Sequence, residues 1–235
     1  MVPIVEMSSN PLQQDFINYY HECEYEEENK NRDVKAEILR KEALSPQNVF
    51  SGRKPFVTNL DKIEIDITYR CNLNCLGCNR SCGQAPTTES MTTEHIRRFI
   101  TDSITLGKKW KLINILGGEP TLHPDFVEII SMIQNEYVDV FSTCTIIQVV
   151  SNGVAEESRK LCELARSRNK NVRIDYDSYK QSNKVDYFTP FNDAPIDDAN
   201  FADADYSLGC WVTSYCGIGL NSKGYYCCAS AAGID

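Results

Sequence analysis

The stretch KIEIDITYRCNLNCLGC, running from Lys62 to Cys78, decides how this chain is read. Its first half alternates: Ile63, Ile65 and Ile67 share one face of a strand, and Glu64 and Asp66 share the other. Its second half leaves that strand as a loop carrying Cys71, Cys75 and Cys78. Three further strands are expected. They are Leu112–Leu116 (LINIL), ending in Gly117-Gly118; Ile146–Val150 (IIQVV), ending in Ser151-Asn152-Gly153; and Asn171–Tyr176 (NVRIDY). Helical patterns lie between them. Ile96, Phe99, Ile100 and Ile104 share a face that Gly107 can end. Phe126, Ile129, Ile130 and Ile133 follow helical spacing, with Pro124 suited to the first turn. Leu161, Leu164 and Ala165 mark a third helix. Strands alternating with helices give an α/β fold with a parallel sheet, because parallel neighbours need crossover connections. Each strand also carries polar residues out of phase with its aliphatic face: Glu64, Asp66, Asn114, Gln148, Arg173 and Asp175. A filled barrel core does not accept so many unpaired charges. We therefore expect a partial barrel with an open, wet lumen; the alternative is that these are edge or frayed positions.

The chain has 235 residues, enough for one substantial core with small appendages, and its 42% hydrophobic content is ordinary for a soluble globular protein. A net charge of −9 argues against a nucleic-acid partner held through phosphates. No apolar run approaches a membrane span, and the opening MVPIVEMSSNPLQQD lacks the pattern of a secretory signal. The expectation is a cytoplasmic protein with neither nucleic-acid nor membrane partners. Residues 1–58 read as an acidic N-terminal extension. Two helices are expected in it, one from about Asn10-Pro11 and one over Val34–Leu44, with the solvated run Glu24–Glu28 between them.

Eleven cysteines are many for a reducing compartment, where clustered thiols are better read as metal ligands or catalytic groups than as disulfides. Four fall within residues 71–82 and four within 210–228; Cys23, Cys144 and Cys162 are scattered. Cys144 and Cys162 are expected to be buried, inert thiols. The C-x3-C-x2-C triplet Cys71, Cys75, Cys78 sits just after the first strand, on the rim where strand C-termini deliver residues to a site. Three thiolates can grip three irons of a cubane and leave the fourth open to an exogenous ligand. The alternative at this stage is a structural zinc site, with Cys82 completing four ligands.

The triplet resembles the hallmark of the radical SAM superfamily, and Gly117-Gly118-Glu119-Pro120 resembles its second hallmark. The resemblance spans about residues 60–180. It implies a partial (β/α)6-type barrel, a 4Fe–4S cluster on Cys71, Cys75 and Cys78, and S-adenosylmethionine (SAM) held against the Gly-Gly-Glu turn. Glycines permit close backbone approach, and a carboxylate complements the SAM amino group. Ser151-Asn152-Gly153 is similar to a further element of many members. Asp175 and Asp177 lie where members place polar residues near the SAM ribose. Gly77 departs from the aromatic residue that many members carry there, so adenine contact is expected from Leu76 or from backbone. His123 is expected to cap or pack against the helix that begins at Pro124, with a general-acid role as the alternative.

Residues 209–228 read GCWVTSYCGIGLNSKGYYCC, with Asn221–Gly224 as a hairpin turn between short strands. This layout resembles the start of a SPASM or twitch extension, which implies an auxiliary 4Fe–4S cluster on Cys210, Cys216 and Cys228. Cys82 or Cys227 are candidates for a further ligand. Neighbouring strand residues face opposite ways, so only one of Cys227 and Cys228 is expected to ligate, and Cys228 is preferred. Domains are expected at 1–58, 59–205 and 206–235. The resulting expectation is an enzyme that reductively cleaves SAM and abstracts hydrogen from a polar substrate, a peptide or a sugar-like metabolite. Its electrons would come from a donor such as flavodoxin or ferredoxin. The alternative is a non-catalytic zinc or iron–sulfur module, or a truncated inactive relative.

Overall fold

The computed structural model describes residues 56–75, 78–83, 85–180, 209 and 211–234; of Asp177, Trp211 and Ile234 it describes the backbone alone. The expected N-terminal helices, Leu76, Gly77 and Cys210 lie outside the described residues. The chain divides into two compact units, 1–56 with 194–215, and 57–193 with 216–235. Every strand among the described residues falls in the second unit.

The elements in chain order are β1 (Lys62–Asp66), α1 (Thr93–Thr105), β2 (Leu112–Leu116), α2 (Phe126–Met132), β3 (Ile146–Val149), α3 (Glu156–Arg168), β4 (Val172–Ile174), α4 (Trp211–Cys216), β5 (Ile218–Asn221), β6 (Gly224–Tyr226) and α5 (Ala229–Ile234). Short 3-10 turns occupy Pro120–Leu122 and Tyr176–Ser178, and α2 continues as a π-helical segment over Ile133–Val138. The helices begin and end for local reasons. Thr92 caps α1, accepting from the His95 amide at 3.2 Å, while His95 Nδ1 accepts from the Thr92 amide at 3.2 Å. Helix α3 has Glu156 and Glu157 in its first turn and Arg166 and Arg168 in its last, which complements its dipole.

The sheet runs β4-β3-β2-β1-β5-β6. All neighbours are parallel except the β5–β6 hairpin. One face is aliphatic. Ile63, Ile65, Ile113, Ile115, Ile147 and Val149 are fully buried together with Ile96, Phe126, Ile129, Ile130 and Ile133 from the helical segments. The opposite face carries a polar row in register: Gly219, Glu64, Asn114, Gln148 and Arg173 lie side by side on five adjacent strands.

The sheet is open, with no closed barrel among the described residues, in keeping with the expected partial barrel. Three expectations change here. The polar residues Glu64, Asp66, Asn114 and Gln148 are buried and not wet. They pair across strands: Asn114 Nδ2 donates to Glu64 Oε1 (3.3 Å), Arg173 Nε to Gln148 Oε1 (2.7 Å) and Gln148 Nε2 to Asp175 Oδ2 (3.4 Å). The Asn221–Gly224 turn forms as expected, but its hairpin is no separate C-terminal module: β5 extends the main sheet beside β1. Cys216 accordingly ends α4 and Cys227-Cys228 follow β6, so none of them lies within a strand. Finally, Cys144 is exposed, whereas Cys162 is buried on α3 as expected. No helix among the described residues is long and apolar enough to cross a membrane.

Candidate active site

The loops that follow β1, β2 and β3 meet at one end of the sheet and are knitted together by hydrogen bonds. The amide of Gly118 donates to Thr68 O and that of Glu119 to Arg70 O, both at 2.7 Å. These bonds hold the turn after β2 against the backbone that leads into Cys71. The approach requires glycine. A Cβ on Gly117 would lie 2.3 Å from Thr68 O, and one on Gly118 would lie 2.1 Å from Arg70 O. The glycines therefore serve the contact between the two loops.

Glu119 is fully buried. Its Oε1 accepts from the Thr121 amide (3.2 Å), Thr121 Oγ1 (2.6 Å) and Ser151 Oγ (2.8 Å), and its Oε2 accepts from the Asn152 amide (2.8 Å). A hydroxyl has one proton, so Thr121 donates to Glu119 and accepts from Ser158 Oγ at 2.8 Å. Asn152 Nδ2 then reaches Asn72 Oδ1 at 2.8 Å, inside the cysteine loop. Four of the expected site residues, Gly118, Glu119, Ser151 and Asn152, thus form one frame around the Cys71–Cys78 loop. Pro120 starts the 3-10 turn that carries Thr121. Asp175 accepts from Gln148 at the end of β4, outside this frame, and Asp177 lies in the following 3-10 turn. Thr121, Ser158 and Asn72 were not singled out from the sequence. Ordinary polar residues give no signal until the loops that join them are folded.

Cys71, Cys75 and Cys78 are half-buried. Their charges sense one another across the loop. Burial pushes the Cys71 and Cys75 thiols up. Cys78 is held down to about 5, first by a hydrogen bond from the Cys82 thiol, with further help from backbone donors and Arg80. Cys71 and Cys82 line a cavity of about 450 Å³ with Tyr69, Asn74 and Thr88. Among the described residues, no three Cys, His, Asp or Glu side chains gather closely enough to hold one metal ion.

In the second cysteine group, Cys216 and Cys228 lie within electrostatic reach of one another, while Cys227 is exposed. Burial pushes the Cys216 thiol up. His123 is buried, with Nε2 2.7 Å from Met91 O and Nδ1 accepting from the Asp125 amide at 3.0 Å. Because Nδ1 accepts, the proton sits on Nε2 and donates to the Met91 carbonyl; the Nδ1 contact at the start of α2 is the capping or packing role expected of this residue.

Comparison with known proteins fits this rim. A family model described as the radical SAM superfamily matches residues 65–191. The chain belongs to the radical SAM superfamily. Membership brings with it an enzyme class and two cofactors, a 4Fe–4S cluster and SAM. A probable GTP 3′,8-cyclase of Pyrococcus abyssi is 41% identical over 87 residues, covering 37% of this chain and 26% of that one. A GTP 3′,8-cyclase of Limosilactobacillus fermentum is 31% identical over 124 residues, covering 51% and 34%. The matched segments thus span about a quarter to a third of these relatives, 26% and 34%. Among solved structures, BtrN in complex with AdoMet and 2-DOIA overlaps at a TM-score of 0.41 with 14% identity, covering 72% of this chain and 73% of that one. That overlap is loose, and the fold description rests on the sheet itself. The radical SAM match ends at residue 191, ahead of the second cysteine group.

Proposed function

We propose that this radical SAM protein binds its 4Fe–4S cluster through Cys71, Cys75 and Cys78. SAM would lie on the same rim, against Gly117–Pro120, Ser151 and Asn152, with Asp175 and Asp177 towards the ribose. When bound, the cluster supplies the electron that cleaves SAM to methionine and a 5′-deoxyadenosyl radical, which takes hydrogen from a polar substrate. The chain's own residues do the positioning. Gly118 and Glu119 amides fix the backbone that enters the triplet, and the Glu119 carboxylate fixes the loop after β3 against both. Its Oε2 accepts one protein donor and keeps capacity for an ammonium. The frame of Glu119 hydrogen bonds that joins three loops around the triplet is the observation that carries this reading. A buried carboxylate with four donors is a preorganised part, not a solvated turn residue.

Anaerobic reconstitution with iron and sulfide, followed by SAM and dithionite, tests it. The expected result is 5′-deoxyadenosine and methionine by mass spectrometry; a cluster-loaded protein that forms neither overturns the reading. Glu119→Gln is expected to weaken SAM binding. A low-potential flavodoxin or ferredoxin is the cellular donor we expect. The GTP 3′,8-cyclase relatives favour a second reading of the substrate, a nucleoside triphosphate in place of a peptide or sugar-like metabolite. Adding GTP to the same reaction separates the two, because a substrate raises 5′-deoxyadenosine formation and leaves a modified nucleotide. Cys210, Cys216 and Cys228 are proposed to hold an auxiliary cluster, as in a SPASM or twitch extension. Counting roughly four against roughly eight irons per chain decides that point.

A further inference from the structure

The cysteine triplet is bracketed by two side chains that reach the same distant helix. Tyr69 precedes Cys71, and its hydroxyl donates to Ala232 O at 3.1 Å. Arg80 follows Cys78, and its Nη1 donates to Ala229 O at 2.6 Å. Both acceptors are backbone carbonyls of α5, which begins directly after Cys228. A helix this short satisfies few of its own carbonyls, so outside donors decide where it sits. Asn221 Nδ2 adds a third, reaching Ala232 O at 2.9 Å and the Tyr69 hydroxyl at 2.9 Å.

Arg80 is buried, and it also pairs with Glu64 and lies 3.5 Å from Asp66 on β1. A buried guanidinium is kept only where its partners are in place. Helix α5 is shaped for it: a Cβ on Gly233 would lie 2.8 Å from Arg80 Cδ and 3.0 Å from its Cα.

We infer that Arg80 and Tyr69 are positioning residues that clamp the loop of the first cysteine group to α5, so that this loop and the segment after Cys228 take up their places as one unit. Neither side chain touches SAM or substrate in this role; each acts through the backbone it holds. The inference rests on the proposed cluster site only for its consequence at the cluster. The clamp itself is a property of the chain.

The test uses anaerobically reconstituted full-length protein with Arg80→Gln, Arg80→Lys, Tyr69→Phe and Gly233→Val. Hydrogen exchange is followed in peptides covering 78–83 and 229–234, with 126–149 as an internal control. Arg80→Gln is expected to speed exchange in both peptides by roughly ten- to hundredfold, the scale of a hydrogen bond to a charged group, and to leave the control unchanged. Gly233→Val is expected to speed exchange in 78–83, a segment it does not adjoin in sequence. If 229–234 keeps wild-type protection in Arg80→Gln, or 78–83 does so in Gly233→Val, the clamp is wrong. Should Arg80→Gln also open the control, Tyr69→Phe decides, with a smaller expected change of roughly two- to tenfold confined to 229–234 and the residues flanking Cys71. No change there overturns the inference. The electron paramagnetic resonance signal of the reduced cluster with SAM is expected to shift in Arg80→Gln and to return towards wild type in Arg80→Lys. A wild-type protein that takes up no cluster would overturn the proposed function while the exchange results still judge the clamp.

Discussion

The two faces of this sheet are both buried, and by opposite means. On the aliphatic face, Ile63, Ile65, Ile113, Ile115, Ile147 and Val149 lie under α1, α2 and α3, where any close-fitting apolar partner suffices. On the polar face, Glu64, Asp66, Asn114, Gln148 and Arg173 need particular partners at particular distances. The first face tolerates substitution by volume. The second depends on complete pairing, and it is incomplete. Neither Asp66 oxygen has a hydrogen-bond partner, and neither does Asn114 Oδ1. One face of the sheet is therefore closed by packing, and the other is specified but incompletely paired, next to the loop that carries the cysteines.

Substitutions on the two faces should therefore differ in size and in pH dependence. The largest loss is expected from Arg80→Met, which leaves Glu64 and Asp66 buried without their cation. Urea unfolding should show a loss of about 3–5 kcal/mol. Ile115→Ala on the other face is expected to lose about 2–4 kcal/mol by the same measurement, through a cavity alone. A smaller loss at Arg80 than at Ile115 would mean that the polar face is wetter than its burial indicates.

Asp66→Asn should act in the opposite direction. Burial raises the Asp66 carboxyl from 3.8 to about 6, against the pull of Arg80 and with Glu64 and Cys78 adding to the rise. Below about pH 4 the carboxyl is protonated in both folded and unfolded chains and makes no difference. Between about pH 4 and 6 the unfolded chain ionises it first, so stability falls as pH rises. Above about pH 6 the penalty is complete. Asp66→Asn is expected to remove that slope and to gain roughly 1–2 kcal/mol at pH 7–8, read as the midpoint of urea unfolding at each pH. An unchanged slope would place the carboxylate in contact with water. The smallest effect is expected from Arg173→Met, at the far end of the polar row. It loses a single half-buried hydrogen bond to Gln148 and should cost about 1 kcal/mol.

The outline of the fold was legible because it follows from local periodicity. The isoleucines at 63, 65 and 67, the apolar run 112–116 and the helical spacing of Phe126, Ile129 and Ile130 each announce an element within a few residues of sequence. The cysteine triplet and the Gly-Gly-Glu turn were legible for the same reason. What misled was burial and partnership. Cys144 and Cys162 look alike in sequence, yet one lies in a loop facing solvent and the other on the buried face of α3. Glu119 reads as a surface turn residue or a ligand group, and only the meeting of three loops makes it a buried hub. The hairpin at 218–226 reads as an appendage because nothing local says that β5 will pair with β1, more than 150 residues earlier.

The alternation of strands and helices, and the place of the cysteine loop after the first strand, follow from the sequence alone. Both depend on neighbours within a few positions. Only the tertiary structure decided that the polar row is buried, that Gly117 and Gly118 make room for backbone, and that Arg80 spans from the cysteine loop to the last helix. Those outcomes depend on pairings between residues far apart in the chain, and the cost of burying a charge is set by the partner it finds.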